Sequence, residues 1–360
     1  MEVESKTKDI LSQALSYGAS DVHFVPKEHT AVIRFRIDGQ LTEMEQLSIK
    51  SMLKLIGHLK FVSGMDVGER RRPQNSSLEL PLSSNICSLR LSTFPSSFHE
   101  TLAVRLFPHE TQQTLEQLCL FPSQANQLLQ LTRVPHGLIL ICGATGSGKT
   151  TTLYTLLHTS LYMMKQNIIT LEDPVEKKHD QFLQMEINER AGITYSEGLR
   201  NLLRHDPDVI MIGEIRDKET AQLAVRAALT GHLVLSTLHS SSTLGALRRL
   251  RDLGITEMEL YETLQGIIAQ RLVQIVCPYC GENCHHFCRK YRTRRRSAVF
   301  EILAGAALTE AISQGPGIPM PAVKTLMGLV NKGVLLGYIG EKELFRYRKG
   351  IENENQGVSS

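Results

Sequence analysis

Apolar and polar positions change period along this chain, and the changes divide it into segments. Over residues 7–17 the apolar Ile10, Leu11, Ala14 and Leu15 fall on one face at helical spacing, which predicts an amphipathic helix. Ser20 and Asp21 lead into a short strand at residues 22–25. Residues 31–37 alternate, with Phe35 and Ile37 against Arg34 and Arg36, and end at Asp38-Gly39, a hairpin turn signal. A second helix is expected over residues 48–61, and further strands at 77–82, 87–93 and 102–107. The polar, proline-led stretch 108–114 reads as a linker. Residues 1–107 are therefore expected to form a small α/β domain, and residues 115–360 a second one.

Past a helix at residues 123–131, strands and helices alternate from Gly137 onward, which predicts a mainly parallel sheet with crossover helices. Residues 138–142 are continuously apolar, as in a strand buried on both faces. They run directly into Gly143, Ala144, Thr145, Gly146, Ser147, Gly148, Lys149 and Thr150, with a helix predicted from Thr151 to residue 159. This is the complete G-x-x-x-x-G-K-[ST] pattern in a strand–loop–helix setting. The glycines let successive backbone N–H groups converge on phosphate oxygens, and the helix N-terminus adds positive potential there. Lys149 would bridge the β- and γ-phosphates and the Thr150 hydroxyl would ligate Mg²⁺, so ATP and Mg²⁺ are the expected ligands, contacted by residues 143–151.

Hydrolysis also needs carboxylates at the ends of neighbouring strands. Residues 167–171 form a strand ending at Glu172, and residues 208–212 form another followed by Gly213 and Glu214. Acids there lie where α/β sheets place ligands. Gly213 stands where an Asp often follows such a run, so Glu214 is assigned as the water-orienting base, with Glu172 its closest rival. Asp217 and Glu219 read instead as acids at the start of a helix over residues 220–229. His232 and His239 flank one further apolar strand, and a role at the γ-phosphate or in relay to another subunit is expected of them.

Composition adds limits. The 360 residues are 42% hydrophobic and 21% charged, which suits a globular chain with room for two cores. No apolar run reaches the ~18 residues of a membrane-spanning helix, and no signal-peptide core is present at the N-terminus, so a cytoplasmic protein is expected. The formal charge of +3 does not argue for nucleic acid, and the arginine clusters at 70–72, 248–251 and 289–296 read as solvated faces. Tryptophan is absent, and aromatic residues do not interleave with basic ones as in single-strand binders. Cys87, Cys119 and Cys142 are isolated and read as small core residues. Cys277, Cys280, Cys284 and Cys288 crowd together, which suggests a metal and not disulfides.

Taken together, these segments resemble the secretion ATPase superfamily, in its type II secretion and type IV pilus branch. In that family the phosphate loop is followed by an aspartate box, an atypical Walker B and a histidine box. Here they correspond to residues 143–150, 171–176, 208–217 and 230–239, and the run 206–217 (DPDVIMIGEIRD) is the most specific. The resemblance implies an α/β chain with a small, PAS-like N-terminal domain and a RecA-like P-loop ATPase domain, assembled as a homohexamer. It also implies that N-terminal arginines reach a nucleotide on a neighbouring domain, with Arg34, Arg36, Arg90 and Arg105 as candidates; Arg forks match paired phosphate oxygens.

Cys277-Pro278-Tyr279-Cys280 resembles one half of the zinc knuckle of the assembly ATPases, a feature that retraction ATPases typically lack. The second half is compressed here: Cys284 or His285 would supply the third Zn²⁺ ligand and Cys288 the fourth. The short chain is most similar to the competence ATPases of Gram-positive bacteria, which implies assembly of a DNA-uptake pseudopilus. A polytopic membrane platform protein would be its partner at the inner face of the membrane, without direct contact to nucleic acid. A retraction motor, a RecA-like DNA translocase and a nucleotide-bound regulator are the competing readings.

Overall fold

The computed structural model describes residues 2–37, 39–82, 85–108, 113–175, 178–281, 288, 295–314 and 324–347. The chain folds into two units, the first built around residues 2–108 and the second carrying the phosphate loop.

The first unit contains α1 (Glu2–Ser16), β1 (Ala19–Pro26), β2 (Ala31–Ile37), β3 (Gln40–Leu47), α2 (Ile49–Val62), β4 (Asn75–Leu82), β5 (Asn85–Pro95) and β6 (Glu100–Pro108). Its strands form one antiparallel sheet in the order β3-β2-β1-β6-β5-β4. Helix α2 begins where Ser48 accepts the Ser51 N–H, and it buries Met52, Leu55, Ile56 and Leu59, an i, i+3, i+4, i+7 stripe. That stripe and Ile10, Leu11 and Ala14 of α1 cover Val22, Phe24, Phe35, Leu89 and Val104 on one sheet face. Complete burial of each such side chain is worth about 1.5–3 kcal/mol. The apolar pattern does not predict strand β3. It is an edge strand whose residues are all exposed or half-buried, so its apolar positions are not forced into period two.

The second unit contains α3 (Leu115–Leu118), α4 (Pro122–Leu131), β7 (Gly137–Cys142), α5 (Lys149–Met164), β8 (Ile168–Glu172), β9 (Leu183–Glu186), α6 (Tyr195–Leu202), β10 (Val209–Ile212), α7 (Lys218–Leu229) and β11 (Leu233–Leu238). After these come α8 (Thr243–Asp252), α9 (Glu257–Thr263), β12 (Leu264–Gln274), β13 (Arg296–Ala304), α10 (Gly305–Ser313) and α11 (Leu326–Leu335). The sheet order is β13-β12-β7-β11-β10-β8-β9, and every pair is parallel except β12–β13. This is the mainly parallel α/β sheet that the alternation of elements predicts.

Strand β7 shows why its sequence is uniformly apolar. Leu138, Leu140 and Cys142 enter the core on one face of the sheet, and Ile139 and Ile141 enter the core on the other. Cys87, Cys119 and Cys142 are all buried, and burial pushes the Cys142 thiol up to about 12. The polar tail from Ile351 lies outside the described residues.

A charged pair is sealed inside the first unit. Lys60 Nζ of α2 donates to both Glu100 oxygens, at 2.9 and 2.8 Å, and to Glu69 O at 2.6 Å. Removing either partner leaves a buried charge unpaired. Lys60→Met or Glu100→Leu alone should therefore destabilise the protein by about 3–5 kcal/mol, and the double variant should recover most of that loss. Denaturant unfolding of the three variants measures this; additive losses would show that the two charges are not coupled.

Candidate nucleotide site

The phosphate loop, residues 143–148, joins β7 to α5. Gly143 has φ +150°, and a Cβ there would lie 2.5 Å from the backbone oxygen of Gln270, so the approach of β12 admits only glycine. Gln270 Nε2 donates to Ser147 O at 2.8 Å and ties the loop to β12. Lys149 is the first residue of α5, and its Nζ donates to Gly143 O at 2.8 Å and Ala144 O at 3.2 Å. Burial holds the Lys149 pKa below the usual lysine value. No side chain caps the N-terminus of α5, and the buried Ser147 Oγ has no hydrogen-bond partner among the described residues. Uncapped helix amides and an orphaned hydroxyl in a glycine loop are what a phosphate group satisfies, so the loop fits ATP. Thr150 and Thr151 follow Lys149 in the first turn of α5.

The two flanks of β7 differ. On the β12 side a cavity of about 540 Å³ opens against the loop, lined also by Gln270, Arg271, Leu272, Leu326 and Tyr347. The Arg271 guanidinium lies 4.2 Å from the centre of the Tyr347 ring. On the β11 side, His239 follows β11 and Glu214 follows β10. His239 Nε2 is 3.2 Å from Glu214 Oε2. Arg216 Nη2 donates to the other Glu214 oxygen, and Arg216 Nη1 is 3.7 Å from Asp173 Oδ2. The Arg216 hydrogen bond holds the Glu214 carboxyl below the usual glutamate range, against the opposing effect of burial.

Gly213 has a steric explanation. A Cβ there would stand 3.1 Å from Tyr195 Oη and 3.2 Å from Leu171 O, because the Gly213 N–H bonds Leu171 O at 2.8 Å. Tyr195 Oη is itself buried without a hydrogen-bond partner among the described residues. A side chain there would need Tyr195 or the end of β8 to give by a few tenths of an ångström, a crowding that glycine avoids, and the acid stands one residue on, at Glu214.

Glu172 sits differently. It is 3% exposed, and both oxygens already accept: Oε1 from Thr170 Oγ1 at 2.7 Å and Gln184 Nε2 at 3.1 Å, Oε2 from Tyr154 Oη at 2.6 Å. The side chain points with Ile168 and Thr170 towards the α5 layer. The histidines also separate. His232 lies at the opposite end of β11 from the loop, where its Nδ1 meets Thr230 Oγ1 at 3.1 Å and Ala227 O at 3.0 Å. Of the two, His239 alone stands beside an acid at the edge that carries the loop. Asp217 caps α7 by accepting the Thr220 N–H at 2.8 Å, and Glu219 lies in the first turn of the same helix.

In the first unit all four candidate arginines share one sheet face, opposite the helices. Register pairs Arg36 with Asp21, Asp21 with Arg105, and Arg105 with Arg90; Arg34 lies two residues along β2. Near the C-terminal end of the second unit's β12, a tight turn with reciprocal hydrogen bonds between Cys277 and Gly281 presents Cys277 and Cys280. Cys277 and Cys280, brought together by that turn, offer two thiol donors of the kind that suit Zn²⁺. Cys284 and His285 lie outside the described residues.

Sequence reasoning missed Arg216, although it stands in the motif run 206–217, because a loop residue two positions from an acid carries no periodic signal. It also missed Gln270, Tyr154 and Gln184, whose roles depend on contacts distant in sequence.

Known proteins bear on this geometry. Residues 1–323 match the family described as Type II/IV secretion system protein. Competence protein ComGA of Bacillus subtilis is 44% identical over 339 residues, covering 94% of this chain and 95% of that protein. The solved pilus retraction motor PilT, with bound ADP, superposes with a TM-score of 0.64 at 26% identity and covers 95% of this chain and 93% of its own. The ATPase DotB of Legionella pneumophila shares the fold at a TM-score of 0.70 and 22% identity, covering 94% of each chain. With a family match over most of its length and a full-length relative at this identity, the chain belongs to the type II/IV secretion system protein family and is an ATPase of that family.

Proposed function

We propose that this ATPase works as a homohexamer and powers assembly of a competence pseudopilus, the machine through which DNA is taken up. The pairing of Glu214 with His239 at 3.2 Å, on the sheet edge that carries the phosphate loop, is the observation that carries the catalytic part. The competence part rests on the full-length similarity to ComGA. Residues 1–107 supply arginines to a neighbouring subunit, residues 108–114 connect, and residues 115–360 bind and hydrolyse ATP.

In this reading, residues 143–151 bind the phosphates, and Lys149 exchanges the Gly143 and Ala144 carbonyls for β- and γ-oxygens. Mg²⁺, held by the Thr150 hydroxyl, would neutralise phosphate charge. Glu214 orients the attacking water and His239 meets the γ-phosphate side. The accepting contacts of Glu172 are all engaged within the fold, which favours Glu214 over Glu172 as the base. Cys277, Cys280 and Cys288, with Cys284 or His285, hold a structural Zn²⁺. Among the described residues no helix is long and apolar enough to cross a membrane. We assign the chain to the cytoplasm, docked on a polytopic platform protein at the inner face of the membrane and making no direct contact with nucleic acid. The likeness to PilT supports a second reading, pilus retraction, which uses the same chemistry with the opposite outcome.

Lys149→Ala should lose nucleotide binding, and Glu214→Gln should keep it while phosphate release falls by roughly 10²-fold or more. Equal turnover in Glu214→Gln would remove Glu214 from the chemistry. Adding a DNA strand should leave phosphate release unchanged; strong, salt-sensitive stimulation would make the protein a DNA translocase. Metal analysis should find about one zinc per chain, lost in Cys277→Ser/Cys280→Ser, and a zinc-free wild type would overturn that assignment.

A further inference from the structure

Tyr195 Oη is buried and meets no hydrogen-bond partner among the described residues, although it lies at the sheet edge that carries Glu214. A hydroxyl left in that state costs free energy that phenylalanine at the same position would avoid. Tyr195 opens α6, where Thr194 accepts the Glu197 N–H at 3.2 Å and fixes the start of the helix. Within the next turn Gly198 packs so close to β8 that a Cβ would stand 2.8 Å from Leu171 Cδ2. The helix is therefore seated firmly on the sheet, and it aims the tyrosine ring at the ends of β8 and β10.

What the hydroxyl faces is chemically specific. The position that often carries an aspartate after such a strand is Gly213 here, and Tyr195 Oη lies 3.1 Å from where its Cβ would be. A hydroxyl carried by α6 thus fills the space of the missing carboxylate. The charged groups that act on it are Asp173, Glu214, Arg216 and Glu172. Burial, followed by Asp173 and Glu214, pushes the hydroxyl well above the usual tyrosine range, so it remains a protonated donor. Of the acids, Glu172 is already engaged through both oxygens, and Asp173 is 41% exposed to water. Glu214, 17% exposed, is the acceptor left for it.

The backbone around Glu214 is held on both sides. The Gly213 N–H bonds Leu171 O at 2.8 Å, Thr237 Oγ1 donates to Gly213 O at 2.7 Å, and the Ile215 N–H bonds Thr237 O at 2.9 Å. Any change of partner is therefore a rotation of the Glu214 side chain. In this structure that side chain is turned to Arg216 and His239. The Arg216 side chain is 59% exposed, so solvent competes for its hold. A guanidinium also makes the carboxylate a weak acceptor for a water proton. A neutral O–H keeps the carboxylate in direction and leaves it more basic.

We propose that Tyr195 is the positioning residue of Glu214: with ATP seated on the loop, its hydroxyl takes one carboxylate oxygen over from Arg216 and leaves the other to accept a hydrogen bond from the attacking water. This rests on the reading of Glu214 as the water-orienting base, and it names the donor that aims that base. Arg216 then holds the acid while the loop is free of nucleotide.

Tyr195→Phe removes the hydroxyl and keeps the ring. The full-length variant is compared with wild type, Glu214→Gln and the double variant by phosphate release, melting temperature, and affinity for fluorescent ADP with and without aluminium fluoride. Tyr195→Phe should lower kcat by roughly tenfold to a hundredfold with KM for ATP unchanged. Affinity for ADP with aluminium fluoride should fall by about the same factor, while affinity for ADP alone holds. Melting temperature should hold or rise, because the hydroxyl it loses has no partner. In the Glu214→Gln background Tyr195→Phe should cost nothing further. Full turnover in Tyr195→Phe beside a slow Glu214→Gln would overturn the proposal and leave Glu214 as the base. Full turnover in Glu214→Gln would overturn that reading, and the proposal with it. Losses that multiply in the double variant would show that the hydroxyl acts apart from Glu214, against the proposal. A Tyr195→Phe protein that melts early and loses ADP affinity would make Tyr195 a structural residue.

Discussion

Burial of β7 on both faces is the constraint on which the second unit depends. A strand covered on both sides must satisfy its backbone within the sheet, and parallel neighbours on each side do so. Parallel pairing then brings the C-terminal ends of β7, β11, β10 and β8 to one edge. The phosphate loop, His239, Glu214 and Glu172 arrive together there because of strand direction, not because of their spacing in sequence. The glycines follow from the same crowding: Gly143 lets β12 approach the loop, and Gly213 lets β10 and Tyr195 close on the end of β8.

The charges at that edge are arranged unequally. Glu214 is held between Arg216 and His239, with its carboxyl kept ionised and partly open to solvent. Glu172, at the end of β8, is drawn into a closed set of donors from the α5 layer and β9. One acid therefore stays partly open beside the loop edge, and the other fastens the loop helix to the sheet. Lys149 contributes a second feature of the same kind, since the carbonyls it bonds belong to its own loop and phosphate oxygens would compete for the same ammonium.

Much of this was legible in the sequence because the informative features were local. The apolar run at 138–142 and the loop after it identify a strand, a turn and a helix without reference to the rest of the chain. The start of α2 was visible within one residue from Ser48 and the stripe that follows it. Edge strand β3 was hidden because exposure relaxes the alternation that marks a strand. His232 and His239 look equivalent along the chain, and only the direction of β11 separates a helix-end histidine from one beside Glu214. The hydrogen bond from Arg105 to Asp21 spans 84 positions, so no local pattern could report it.

In the proposed chemistry Glu214, and not Glu172, faces the terminal phosphate of an ATP seated on residues 143–151. A crystal structure of Glu214→Gln with Mg²⁺ and ATP tests it most directly. The expected structure has the phosphates on the loop amides and Lys149, with residue 214 and His239 beside the γ-phosphate and Glu172 still bonded to Tyr154 and Gln184. Glu172 released from those partners and turned onto the γ-phosphate, with residue 214 pointing elsewhere, would contradict it.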